Sequence, residues 1–273
     1  MRSGRGLLAV VMGITAGCSS FGTAPSENDA STGAEKDASV GASSSEAGDA
    51  APVPFCKLSE NSKAGTFCDD FDDNPEKPQL LGWSRLEESG ARLSYNGIAL
   101  SAPFAMTATV PKGATFARAL AVRKEAPGNR FRVRFHVRGD GPPEPDAPLY
   151  IGHVTVNDLY MISMRAFGDG ARLRVSLTKL GSPNVPVEGL VVDQAPELTD
   201  KAWIPVDVVV DAKMPNYTVT MGERSASGRF PEVFKDKVSL ELRMGIEAYE
   251  ARQASITKDT TLHYDNVVIE ADR

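Results

Sequence analysis

Phe67-Cys68-Asp69-Asp70-Phe71-Asp72-Asp73 opens the part of the chain that can fold, and Leu262-His263-Tyr264-Asp265-Asn266-Val267-Val268-Ile269 closes it. The first stretch gathers two aromatic rings and four carboxylates around a cysteine, directly after a long polar run. The second alternates and ends in β-branched residues, as a final strand does. Together they read as the first and last strands of one β-sandwich, paired where the domain begins and ends.

Between them the chain is a succession of short alternating segments separated by turn residues, with no amphipathic stretch long enough for a major helix. The candidate strands are 83–88, 91–95, 105–110, 115–123, 131–138, 149–156, 159–166, 171–179, 185–192, 204–211, 217–221, 238–246 and 262–270. About thirteen strands over residues 55–273 suit a single large sandwich. No period of fixed length recurs, which disfavours a propeller or a solenoid.

Alternation also predicts which way the strands face. Phe131, Val133, Phe135 and Val137 fall on one side of their strand, while Arg130, Arg132, Arg134, His136 and Arg138 fall on the other. Leu173, Val175 and Leu177 oppose Arg172 and Arg174 in the same way, and Val238 through Ile246 repeats the pattern against Glu241 and Arg243. One face of each strand is core and the other is wet, the antiparallel pattern.

Upstream of the domain the composition changes. Arg2 and Arg5 precede an apolar run from Leu7 to Ala16 that is too short to span a bilayer, the layout of an export signal over residues 1–17. Residues 18–54 are dominated by Ser, Ala, Gly, Asp and Glu, with too few large apolar side chains to offset chain entropy. As a flexible coil this linker spans about 30–36 Å. It carries six acids against Lys36, while Arg2 and Arg5 add two positive charges upstream, so of the net charge of −6 about −3 belongs to residues 55–273. Such a mildly acidic domain has no general attraction to nucleic acid or anionic lipid.

Thr15-Ala16-Gly17-Cys18 resembles the lipobox of bacterial lipoproteins. The resemblance implies that Cys18 becomes the acylated N-terminus, and Ser19 after it implies transfer to the outer membrane or cell surface. With Cys18 assigned to the lipid, Cys56 and Cys68 remain as a pair, which an oxidising compartment would bridge.

The opening Phe67-Cys68-Asp69-Asp70-Phe71-Asp72, the Trp83 that follows and the closing Tyr264-Asp265-Asn266-Val267-Val268 together resemble the concanavalin A-like lectin/glucanase superfamily, with its LamG-like jelly rolls. The likeness covers residues 66–270 in outline. It implies a structural calcium near the junction of the first and last strands, with Asp72 and Asp265 as matching positions and Asp70 added by alternation. The other reading of these acids is that they cap turns and pair with nearby bases.

That superfamily includes glycosidases, so their signature was sought. The Glu-x-Asp-x-x-Glu strand is absent: Glu144-Pro145-Asp146 begins like it, but Leu149 stands where the last Glu belongs. Glu247 and Glu250 have the wrong spacing, and neither a zinc-protease nor a nucleophile-elbow motif occurs. The sequence therefore predicts no catalytic residue.

Three functional readings follow. In the first, an anchored module binds carbohydrate without hydrolysing it, through Arg130, Arg132, Arg134, Arg172 and Arg174 on one polar sheet face, since guanidinium forks suit acidic glycans. In the second, those arginines pair with acids across the sheet, and the domain is a structural or protein-interaction lipoprotein. The third is a glycoside hydrolase with a carboxylate pair brought together by folding. Trp203 and Tyr150 are read as strand-end packing or as sugar platforms, and His136, His153 and His263 as polar strand residues without metal spacing.

Overall fold

The computed structural model describes residues 53–72, 82–114, 116–141, 149–167, 172–181, 184–193, 196, 198, 202–249 and 256–273. The leader, Cys18 and nearly all of the linker lie outside the described residues. After a single 3-10 turn at Phe55–Lys57 the chain forms fifteen described strands. The first seven are β1 (Phe67–Asp69), β2 (Arg85–Ser89), β3 (Arg92–Asn96), β4 (Ala105–Val110), β5 (Phe116–Gly128), β6 (Arg130–Gly139) and β7 (Leu149–Val156). The rest are β8 (Tyr160–Phe167), β9 (Arg172–Lys179), β10 (Val185–Asp193), β11 (Ile204–Asp211), β12 (Asn216–Met221), β13 (Arg224–Arg229), β14 (Val238–Tyr249) and β15 (Thr260–Asp272).

They form two antiparallel sheets packed face to face. One has the order β13-β12-β11-β6-β15-β4-β3, with β1 also paired to β15, and the other has the order β10-β9-β8-β7-β14-β5-β2. This is the concanavalin A-like jelly-roll sandwich. The expected pairing of first and last strands is present, with Phe67 opposite Ile269 and Asp69 opposite Val267. The bridge between Cys56 and Cys68, with Cα atoms 5.6 Å apart, ties the segment before β1 to that strand. Such a bridge belongs to an oxidising compartment outside the cytoplasm.

Strand β13 was not among the sequence-predicted strands. Its Arg-Ser-Ala-Ser-Gly-Arg has no apolar alternation, because it forms the edge of its sheet and follows β12 through a tight turn at Gly222 (φ 60°). On β6 and β14 the alternation holds: Phe131, Val133, Phe135 and Val137 of β6 and Leu240, Leu242, Met244 and Ile246 of β14 are all buried in the shared core. Burying these side chains contributes roughly 1.5–3 kcal/mol each against chain entropy.

Strand β7 breaks its own alternation. Its core residues are Leu149 and Ile151, then Val154 and Val156, so the inward set changes parity midway. The cause is a β-bulge: Tyr150 lies opposite Arg165 and Gly152 opposite Met164, leaving Ile151 as an extra residue against β8. On its other side, Met244 pairs with Gly152 and Glu247 with Tyr150, so β14 also departs from regular register there. The bulge turns Tyr150 and His153, three residues apart, onto the same outward face.

Candidate functional site

The outward face of the seven-stranded sheet carries a groove of about 460 Å³ at this bulge, lined by Arg118, Tyr150, His153, Met161, Arg165, Thr178, Asn184, Pro186, Arg243 and Glu247. Strand pairing builds it in rows. Arg118 of β5, Glu247 of β14, Tyr150 of β7, Arg165 of β8 and Arg174 of β9 are successive cross-strand partners. The next row holds Arg243, His153, Ser163 and Ser176, the two serines joined at 2.7 Å.

At the centre His153 and Tyr150 stack, with ring centroids 4.8 Å apart and planes 21° apart, and the Arg165 guanidinium lies 4.3 Å from the Tyr150 ring centre. His153 Nε2 meets Glu247 Oε2 at 3.0 Å, both side chains being buried. A carboxylate only accepts, so Nε2 is the donor, and of the two neutral tautomers this contact selects the one with its lone pair on Nδ1. That Nδ1 is buried without a hydrogen-bond partner among the described residues, as are Arg118 Nε and Arg165 Nε. Three polar nitrogens at one groove thus lack partners, where buried polar groups are ordinarily satisfied.

Charge favours an anion. Three guanidinium groups line the groove against the single carboxylate of Glu247. Arg243 is aimed by Glu241, which accepts from its Nε at 2.7 Å and lies 3.2 Å from Lys124 Nζ. Burial works to raise the Glu241 pKa, yet its bonds to Arg243 and Lys124 hold it below the ordinary carboxylate value. Burial raises the Tyr150 phenol above its ordinary value, Arg165 acting against it and Glu247 with it, so this phenol is protonated at neutral pH.

The residues predicted as ligand-binding do not share one face. Arg130, Arg132 and Arg134 lie on β6 in the eight-stranded sheet, while Arg172 and Arg174 lie on β9 in the other. The two sheets present opposite outer surfaces, so the expected single arginine face is corrected: alternation sets the side of a strand, not the sheet that the strand joins. Arg132 is held by Asp207, with Nη2 to Oδ2 at 2.6 Å and Nε to the same carboxylate, and that bond raises its pKa. Arg134 meets Glu270 at 3.4 Å, and Arg130 stands between Asp211 and Asp272 in register. Two of these three arginines are thus held in ion pairs. On the other sheet Arg174 takes its place in the groove row, and the side chain of Arg172 lies outside the described residues.

The acids proposed for calcium are engaged by amides. Asp70 accepts from Cys56 N at 3.1 Å and Asp72 from Phe104 N at 3.1 Å. Asp265 accepts from Leu100 N, Ser101 N, Ser101 Oγ and Asn266 N at 2.7–3.1 Å. Strand β1 stops at Asp69 and Phe71 takes φ 60°, so the alternation used to align Asp70 with Asp72 does not reach them. Among the described residues no group of three or more His, Cys, Asp or Glu side chains is arranged to hold a metal.

Of the residues weighed in sequence, Trp203 meets His263 edge-on at 6.5 Å, and His263 is buried against Asp140 at 2.7 Å. His136 is partly buried on β6, and burial lowers its pKa. The histidine and glutamate that matter, His153 and Glu247, were passed over. The signal that could have found them is Gly152, a lone glycine inside an apolar strand pattern and hence a sign of a bulge.

No family model matches the chain, and no curated protein matches it in sequence. Solved structures match it in fold. An endo-β-1,4-glucuronan lyase from the fungus Trichoderma reesei is 14% identical, with a TM-score of 0.54 over 76% of this chain and 95% of that one. The alginate lyase Aly36B is 9% identical, with a TM-score of 0.56 over 77% and 98%. The cellulose-induced protein Cip1 is 13% identical, with a TM-score of 0.51 over 76% and 98%. At such identities the likeness establishes the concanavalin A-like fold.

Proposed function

We propose that the groove on the seven-stranded sheet binds a uronate-bearing polysaccharide and cleaves it by β-elimination. The observation that carries this reading is a groove lined by Arg118, Arg165 and Arg243 around the Tyr150–His153 stack, with Arg118 also meeting Glu87 at 3.5 Å, Arg243 held by Glu241, and buried nitrogens of His153, Arg118 and Arg165 without partners among the described residues. A guanidinium fork pairs with a planar carboxylate through two parallel bonds. Neutralising a uronate carboxylate in this way makes its C5 proton more acidic, because the charge that develops on proton removal spreads into the paired carboxylate.

Once the side chains that bury it move aside for the bound sugar, His153 Nδ1 takes the C5 proton, Glu247 holding the ring in the tautomer whose lone pair is on Nδ1. The C5–H electron pair becomes the C4=C5 double bond as the C4–O4 bond breaks. The leaving oxygen takes the proton of the Tyr150 phenol. No water is consumed, so the reaction needs no glycosidase carboxylate pair, in keeping with the absence of that signature. The fold neighbours include lyases of glucuronan and alginate, which supports the reading at the level of fold.

A second reading is binding without cleavage. His153 is 3% exposed beneath Tyr150, as suits a platform on which a sugar ring stacks. Incubation with polyglucuronate, alginate and polygalacturonate separates the two: the ultraviolet absorbance of an unsaturated uronate supports cleavage, and saturable binding without it supports the platform. Neither result with any of these polymers overturns both.

The groove belongs, in this reading, to an exported chain held at the membrane by a lipid on Cys18, with the linker letting the domain reach polymer beyond the surface. Cys18→Ser should move the protein to the soluble fraction, and an unchanged membrane fraction would refute the anchor.

A further inference from the structure

Tyr264 belongs to the opposite sheet and is fully buried, yet its hydroxyl crosses the core to the backbone of the sheet whose outer face carries the groove. It lies 2.7 Å from the carbonyl oxygen of Gly245 and 3.1 Å from that of Ile151. These carbonyls come from β14 and β7 at the one place where the two strands lose register. In a regular ladder each carbonyl would face an amide of its neighbour; here two acceptors share a single external donor. A phenol has one proton, so it serves Gly245 chiefly and Ile151 by sharing. Burial holds that proton firmly, raising the Tyr264 pKa well above the ordinary phenol value.

We propose that Tyr264 is the positioning residue of the groove: by clasping the Ile151 and Gly245 carbonyls it holds the double bulge that turns Tyr150 and His153 onto one face and sets Glu247 beside His153. The inference rests on the reading of the groove as a ligand site. Both ends of the clasp are built for it. Gly245 has φ 140°, and a Cβ there would run into the Ala119 carbonyl, so no other residue fits this backbone. At Gly152 a Cβ would come within 3.1 Å of Met164 Cε. The bulge is crowded, and the phenol reaches its carbonyls from the core side. Tyr264 touches no solvent, so its action on a ligand passes through backbone only.

The test compares Tyr264→Phe with Val208→Ala, a core change in the eight-stranded sheet away from the groove, at conditions where the two have lost equal melting temperature. The readouts are the side-chain NMR signals of Tyr150 and His153, which report their mutual stacking, and turnover and KM on polyglucuronate and alginate. Tyr264→Phe should shift both ring signals and lower kcat about 100-fold, the scale of a misplacement of about 1 Å, while Val208→Ala leaves signals and kcat at wild-type values. Unmoved ring signals, with turnover no lower than in Val208→Ala, would overturn the proposal.

Tyr264→4-aminophenylalanine returns a donor to the same place and should restore both readouts. If the Phe variant does not fold, this variant decides alone: a folded protein with wild-type ring signals supports the clasp, and a folded protein without them refutes it. If the wild type neither binds nor cleaves a polyuronate, the proposed function falls while the NMR comparison still decides the clasp.

Discussion

Tyr150 and His153 stand three residues apart on one strand and yet stack, ring centroids 4.8 Å apart and planes 21° apart. On a regular strand residues three apart point to opposite faces. The extra residue Ile151 reverses the alternation, and the cost of the irregular ladder is repaid in a phenol and an imidazole brought side by side under Arg165. Structural irregularity concentrated at a groove with unpartnered nitrogens is what a functional site looks like.

If His153 removes the C5 proton, His153→Ala should lower turnover on the preferred polyuronate by about 10²- to 10⁴-fold, the usual span of general-base catalysis. Glu247→Gln should act in the same direction with a changed pH profile, since an amide can either accept from or donate to the ring and no longer dictates its tautomer. Ultraviolet assay of the unsaturated product across pH checks both. Wild-type rates in His153→Ala would exclude the residue from the reaction.

The two arginine-bearing faces should behave oppositely. Arg165→Ala should weaken binding of a polyuronate oligosaccharide by about 1.5–3 kcal/mol, roughly ten- to a hundredfold in Kd, the range for a hydrogen bond to a charged group. Arg132→Ala should leave that affinity unchanged and cost about 0–1 kcal/mol of stability, because its pair with Asp207 is solvent-exposed. Isothermal titration with both variants tests this, and an affinity loss confined to Arg132→Ala would move the site to the other sheet.

Asp265 gives the fold a pH dependence of definite sign. Burial pushes its carboxyl up to about 6, against the pull of the Ser101, Leu100 and Asn266 amides. The native state therefore keeps this proton at a pH where the unfolded chain, with a pKa of about 3.9, has released it. The contribution is fully present below about pH 4 and is lost as pH rises through about 6, a change of about 3 kcal/mol. Urea midpoints at pH 4 and pH 7 should show this slope in the wild type. Asp265→Asn should be less stable throughout and lack the slope; an identical slope in both proteins would assign it to other groups.

Opening the Cys56–Cys68 bridge should cost about 3 kcal/mol, the value for a loop of this length on chain-entropy grounds. The bridge lies on the eight-stranded sheet through β1, so its loss should lower the denaturation midpoint without altering groove affinity at a temperature where the protein stays folded. Denaturation and binding of the Cys56→Ser, Cys68→Ser double variant measure the two separately.

By itself the sequence determined the sandwich, because a period-two pattern with one apolar side is a local property of each strand: β4 and β11 begin and end where alternation says they should. It also determined the pairing of the chain's ordered ends and the Cys56–Cys68 bridge, for which only one cysteine partner remained. The hidden strand β13 shows the limit, since an edge strand with little to bury leaves no apolar record. The site was decided by tertiary structure. Arg118, Tyr150, His153, Arg165 and Glu247 come from four strands, of which only β7 and β8 are joined by a tight turn, and no local pattern states that β7 lies beside β14 and that β6 lies in the other sheet. The bulge at Ile151 decided the rest: one added residue reverses every side chain beyond it, and a phenol from the far sheet reaches the carbonyls of Ile151 and Gly245 there.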